Sequence, residues 1–71
     1  MNKKELFAKR LAELIAEKNI NQSKLAKETG ITNQAISLWL NEKREPLLTN
    51  LWILSEYFGC TVDFLIGKSD Y

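Results

Sequence analysis

Apolar residues along the chain fall into stripes with helical spacing. Phe7, Leu11, Leu14 and Ile15 recur at intervals that leave Lys9, Arg10, Glu13 and Glu17 mostly to solvent, which predicts an amphipathic helix from about Lys3 to Lys18. Asn2, followed three residues on by Glu5, resembles a capping box at its start, with Asn in place of Ser or Thr. Asn19-Ile20-Asn21 reads as a short connector, with Ile20 turned inward and Asn21 capping a second helix over about Gln22 to Thr29. In that helix Leu25 and Ala26 face inward, and the small Ala26 admits the close approach of another helix. Gly30 sits where the chain must leave it, a place that favours left-handed backbone angles. Thr32 offers an oxygen to cap a third helix, from about Asn33 to Leu40. At about 100° per residue, Ala35, Ile36, Trp39 and Leu40 share one arc of that helix, and Asn33, Gln34, Ser37, Leu38 and Asn41 the other.

Glu42 to Pro46 reads as a loop, and helices are expected to resume only past Pro46. A fourth helix over Leu48 to Phe58 carries Leu48, Leu51, Leu54, Ser55 and Phe58 on one stripe and stops at Gly59. Thr61 caps a last short helix bearing Val62, Phe64, Leu65 and Ile66, which Gly67 ends. The chain shows no strand pattern, internal repeat, low-complexity segment or linker. The expected fold is all-α: a compact five-helix domain over residues 1–67, followed by a short polar tail at 68–71.

Helices two and three form a pair of short helices crossing at a tight turn. The exposed arc of helix three begins with two carboxamides and a hydroxyl at a capped helix start, which suits the reading of base edges in a major groove. Asn33 and Gln34 are the leading candidates for base contact, because a carboxamide both donates to and accepts from adenine. Ser37, one turn on from Asn33, reaches either a base or a phosphate. Leu38 meets a thymine methyl or edges the core, and both readings stand. Thr32 combines capping with a phosphate contact, or caps alone.

These residues resemble the Cro and phage-repressor type, the lambda repressor-like helix-turn-helix DNA-binding family, over nearly the whole chain. Asn21-Gln22-Ser23-Lys24-Leu25-Ala26 is similar to the family's opening of Asn or Thr, Gln, two variable residues, Leu and Ala. Gly30-Ile31-Thr32 resembles its turn, and Ile36-Ser37 the start of its inward seam. Lys43-Arg44-Glu45-Pro46 resembles the basic loop after the recognition helix. Leu51, Leu54, Phe58, Gly59, Val62, Asp63 and Leu65 fit its two closing helices. The resemblance implies a sequence-specific double-stranded DNA-binding transcription regulator, repressor or Cro-like, from a phage or mobile element, with helix three in the major groove. It implies that Gln22 holds a backbone phosphate at the start of helix two, and that Asn41, Lys43 and Arg44 grip the strand beside the groove. Relatives bind as dimers on palindromic operators, so a weak homodimer is expected. Four positions depart from the family. Glu42 stands where Gly is common, so Glu42 or Asn41 must take strained backbone angles. Ile15 and Leu40 replace an ion pair of Arg and Glu, and Thr29 is more polar than usual.

Size and charge qualify this picture. A chain of 71 residues supports one domain with a modest core. Dimerisation or DNA contact would add stability. Net charge is only +1, but Lys24, Lys27, Lys43 and Arg44 lie within the motif or its loop, whereas Glu13, Glu17, Glu56 and Asp63 lie elsewhere. A polarised molecule with modest affinity and steep salt dependence is expected. No run of about 20 apolar residues and no signal-peptide core is present, so no membrane association and a cytoplasmic location are expected. Cys60 is the only cysteine and there is no histidine. A zinc site of ordinary ligands is therefore out of reach, and Cys60 reads as a small packing residue. No nucleophile–base pair, paired carboxylates or phosphate-cradling glycine loop is present. The chain is expected to be no enzyme, to need no cofactor and to take no small-molecule ligand.

With no second domain in the chain, a dimer interface is expected on the helices themselves. Ile53 and Tyr57 fall off the core stripe of helix four, Trp52 flanks it, and with Ile66 they mark a possible dimer or partner surface. Scattered exposed apolar residues are also ordinary on small domains. The rival reading is a protein-interaction module, such as an antirepressor or antitoxin, that keeps the helix-turn-helix fold.

Overall fold

Helix starts are set by side chains in all but one case. In the computed structural model, which describes residues 2–70, Asn2 Oδ1 accepts the Glu5 N–H at 2.9 Å and opens α1 (Lys3–Glu17). Asn21 Oδ1 accepts the Lys24 N–H at 2.8 Å and opens α2 (Gln22–Thr29). Thr32 Oγ1 accepts the Ala35 N–H at 3.1 Å and opens α3 (Asn33–Leu40). Helix α4 (Leu48–Phe58) begins at Leu47, which supplies no side-chain cap. Thr61 Oγ1 accepts the Phe64 N–H at 3.0 Å and opens α5 (Val62–Leu65). Helices α2, α3 and α4 span the expected residues. The first helix is one residue shorter than expected, with Lys18 as its cap, and Ile66 caps the last helix rather than continuing it. Among the described residues there are five helices and no strand. Met1 and Tyr71, the end of the expected tail, lie outside them.

Left-handed residues end the helices. Gly30 takes φ 78° after α2. Glu42 takes φ 62° after α3, which settles that it and not Asn41 adopts the strained angles. Its N–H bonds the Trp39 carbonyl at 3.1 Å and the Lys43 N–H bonds the Leu38 carbonyl at 2.8 Å, so the turn satisfies two carbonyls of the helix end. Asn19, expected only as part of a connector, likewise takes φ 59° after α1. At the turn of the motif, the Thr29 hydroxyl donates to the Leu25 carbonyl at 2.6 Å and accepts the Ile31 N–H at 3.2 Å. The polar departure at Thr29 thus relays one backbone group to another where the chain leaves α2.

The core joins every helix: Phe7, Leu11, Leu14, Leu25, Ile31, Ile36, Trp39, Leu54 and Leu65 form one buried cluster. The Phe7 and Trp39 rings meet edge to face, centroids 5.7 Å apart, and lock α1 to α3. Ile15 and Leu40 are half-buried and pack on this cluster, so two aliphatics stand where an ion pair was the family pattern. Among the described residues no polar or charged side chain is buried. Arg10, expected in solvent, lies 4.3 Å over the Phe64 ring and reaches Asp70 at 3.5 Å, which draws the tail toward α1.

The stripe of α4 needs correction. Leu54 is fully buried, but Leu48 is 73% exposed, although helical spacing put both on the core side. Periodicity fixes the angle of a residue about the axis and not whether a neighbour reaches that level: Leu51, one turn on, packs on the core, and Leu48 at the helix start is left uncovered. Ile53 and Tyr57, read as off the stripe, are half-buried and pack against the core. Helix α4 meets both α2 and α5, so its buried face is wider than one stripe. No helix among the described residues is long and apolar enough to cross a membrane.

Candidate nucleic-acid interface

The start of α3 is held from α2. Gln22, half-buried at the first position of α2, donates through Nε2 to the backbone carbonyl of Asn33, the first residue of α3, at 3.1 Å. One hydrogen of that amide nitrogen is used in this way and the other remains for a further acceptor. Asn33 and Gln34 are exposed beside it, their side chains without a hydrogen bond among the described residues. Thr32 is exposed as well; its oxygen accepts the Ala35 N–H, which leaves the hydroxyl hydrogen to donate. The structure therefore brings Gln22, Thr32, Asn33 and Gln34 to one end of α3, and the buried Ile36 and Trp39 fix its opposite face to the core.

At the far end of α3, Asn41 Nδ2 donates to the Ser37 carbonyl at 2.8 Å and approaches Ser37 Oγ at 3.4 Å. Its amide is thereby turned toward the helix end, where, as at Gln22, one hydrogen is committed to a backbone carbonyl of α3, and Asn41 stays exposed beside Lys43. Ser37 and Leu38 are half-buried. Lys43 and Arg44 follow fully in solvent, with no ion pair to the acids on either side. Lys24 and Lys27 are exposed on α2. A further feature escaped the sequence reading: α4, which follows this basic loop, is the helix without a side-chain cap, so its first N–H groups are left to water or an anion. The signal was present, because Leu47 stands where the other helices have Asn or Thr.

Trp52, Ile53, Tyr57 and Ile66, named from sequence as a possible dimer or partner surface, differ in their surroundings. Trp52 is 62% exposed. The Tyr57 hydroxyl donates to a Glu28 carboxylate oxygen and Lys18 Nζ lies 4.9 Å over its ring, so Tyr57 clasps α4 to α2 and to the end of α1. Ile53 packs on the core. Ile66 lines a cleft of 230 Å³ with Phe7, Pro46, Leu51, Lys3, Lys68 and Glu45. That volume is below the roughly 300–1,000 Å³ of typical ligand pockets. The exposed large apolar residues are instead Leu47, Leu48 and Trp52. Cys60 is half-buried, and burial pushes its thiol up from the ordinary value, away from the reactive thiolate.

Comparison with known proteins assigns this arrangement. A family model described as helix-turn-helix matches residues 11–65, from the second half of α1 through α5. The chain belongs to the helix-turn-helix family, of the Cro and C1-repressor type. This helix-turn-helix chain is 33% identical over 64 residues to an HTH-type transcriptional activator, BcrR, of Enterococcus faecalis, covering 90% of the chain and 31% of that protein. It is 34% identical over 62 residues to repressor protein C2 of Salmonella phage P22, covering 87% of the chain and 29% of that protein. The chain thus spans less than a third of the length of either relative. No solved structure is a significant match. The family and both relatives are DNA-binding regulators and not enzymes. Its motif residues are those already placed at the α2–α3 turn.

Proposed function

We propose that this helix-turn-helix chain binds double-stranded DNA by sequence, with α3 in the major groove, and regulates transcription. The observation that carries the reading is the exposed pair Asn33 and Gln34 at the capped start of α3, fixed in place by the bond from Gln22. Asn33 and Gln34 meet base edges, each good pairing contributing about 1–3 kcal/mol of discrimination. Ser37 and Leu38, half-buried one turn on, border the same groove. Gln22 through its second amide hydrogen, Thr32 through its hydroxyl, and Lys43 and Arg44 through charge take the phosphates on either side. Asn41, bonded back to Ser37 through one amide hydrogen, offers the other to the same strand as Lys43 and Arg44.

A single short helix contacts too few base pairs to mark a genomic site, so the operator is an inverted repeat and two copies bind it. The exposed Leu47, Leu48 and Trp52 supply apolar surface for that contact. Of the two relatives one is named an activator and the other a repressor. Repression is the sense adopted for this chain, because occupying an operator against polymerase needs only the DNA-bound helical domain. The reading as a protein-interaction module leaves the polar start of α3 and the basic loop without a task.

Selection of bound duplexes from a random library, at moderate salt with purified protein, tests the proposal. Enrichment of an inverted repeat is the expected result, and enrichment of nothing by a folded sample overturns it. Within the selected site, Asn33→Ala or Gln34→Ala loses preference at defined base pairs, whereas Lys43→Ala weakens all duplexes alike. Uniform losses from all three would remove the base contacts from α3.

A further inference from the structure

Among the described residues, two other than glycine take left-handed angles, Asn19 and Glu42. Asn is one of the side chains that tolerate this region, so at Asn19 residue type and backbone agree. At Glu42 they conflict. The turn is fixed by two backbone bonds, Glu42 N–H to the Trp39 carbonyl and Lys43 N–H to the Leu38 carbonyl, and neither involves the side chain. Glycine would make the same turn without strain. The Glu42 carboxylate is exposed, and among the described residues it forms no hydrogen bond or ion pair. Neither packing nor pairing explains a carboxylate there. Its position does single it out: it directly precedes Lys43 and Arg44, at the end of the helix that faces DNA.

We infer that Glu42 is an electrostatic attenuator of DNA binding, a carboxylate held at the end of the recognition helix that offsets part of the attraction of Lys43 and Arg44 for phosphate. The inference rests on the DNA-binding reading above. The backbone turn fixes where the side chain begins, one residue from Lys43, so the carboxylate stays within a Debye length of the phosphates proposed for its neighbours. Phosphate contacts hold specific and non-specific duplexes alike, so the carboxylate weakens both. The effect is to shorten residence on arbitrary DNA, while Asn33 and Gln34 retain the choice between sequences.

The test compares the full chain with Glu42→Gln, which removes the charge and keeps the side-chain length, and Glu42→Gly, which also removes the strain. Each is titrated with the selected duplex and with a scrambled one across a salt series, and each is melted. Glu42→Gln is expected to bind both duplexes about fivefold tighter at low salt, with the gain fading as salt rises and with an unchanged melting temperature. Glu42→Gly is expected to bind at least as tightly and to melt higher. If Glu42→Gln binds no tighter than the parent, the inference is overturned. A gain by Glu42→Gly alone overturns it as well, because the effect is then strain and not charge. A parent chain that binds neither duplex overturns the DNA-binding reading, a result that these variants do not imitate.

Discussion

Gln22 Nε2 and the Asn33 carbonyl, 3.1 Å apart, join the first residue of α2 to the first residue of α3. The bond crosses the motif at the end where the proposed function places bases and phosphates, so one side chain braces α3 and keeps a second amide hydrogen for the phosphate contact proposed for it. Gln22→Ala should lower affinity for every duplex, selected or scrambled, by a similar factor. Gln22→Glu should lower it further, since a carboxylate cannot donate to the Asn33 carbonyl and repels a neighbouring phosphate. The bond is solvent-exposed, and its loss should cost no more than about 1.5 kcal/mol of stability. Binding titrations beside thermal melts separate the two effects; a loss confined to the selected duplex would argue against phosphate contact.

The hydroxyl of Thr29 holds the turn between the same two helices. Thr29→Val keeps the shape but leaves the partly buried Ile31 N–H without its acceptor. A cost of about 1–3 kcal/mol is expected, and each kcal/mol lowers the melting temperature of a domain this size by roughly 4–8 °C. Thr29→Ser should retain most of the stability. Equal melting of Thr29→Val and the parent would show that water replaces the relay.

Much of this arrangement was legible in the sequence because the helix caps are local chemistry. Asn21, Thr32 and Thr61 accept N–H groups three residues on, and the bounds of α2 and α3 fall where those caps put them. Ile36 and Trp39 were legible as the buried side of α3 for a related reason: an isolated stripe on a short helix has one possible neighbour. What failed was depth along an axis and the width of a face. Leu48 has the right angle and lies beyond the packing, and Tyr57 has the wrong angle for one neighbour and the right one for another. The bonds of Gln22 to Asn33, Tyr57 to Glu28 and Asn41 to Ser37 depend on rotamers and helix crossing, which residue types alone do not specify. Glu42 was legible only as one of two choices, since either it or Asn41 could absorb the left-handed angle.

Tyr57 and Glu28 give stability a dependence on alkaline pH. The hydrogen bond to Glu28, then burial, then the Glu28 charge push the phenol up from its ordinary value of 10.0. A raised value means that the folded chain holds the proton more tightly than the unfolded one. The contribution is therefore complete below pH 10.0 and is lost as pH rises through the folded value. Tyr57→Phe, which keeps the ring on Phe58 and under Lys18, should melt below the parent by a constant margin from about pH 7 to 9, and the margin should shrink above that range. Melting curves across the series check this, and a margin that persists undiminished at higher pH would assign the difference to packing alone.

Leu48 and Trp52, four residues apart on α4 and 73% and 62% exposed, are the residues to vary in testing the proposed pairing of the chain with itself. Neither is fully packed in the single chain, so Leu48→Glu and Trp52→Glu should change folding by no more than about 0.5 kcal/mol. If these residues form the contact between two copies on an inverted repeat, like charges placed there should abolish the two-fold complex and leave binding to a half-site near its parent level. Sedimentation with the inverted repeat and with one half-site distinguishes the species. Loss of half-site binding in a folded variant would place Trp52 against DNA or in support of α3. An undiminished two-copy complex would move the interface away from the start of α4 and return Ile66, beside its apolar cleft, as the next surface to vary.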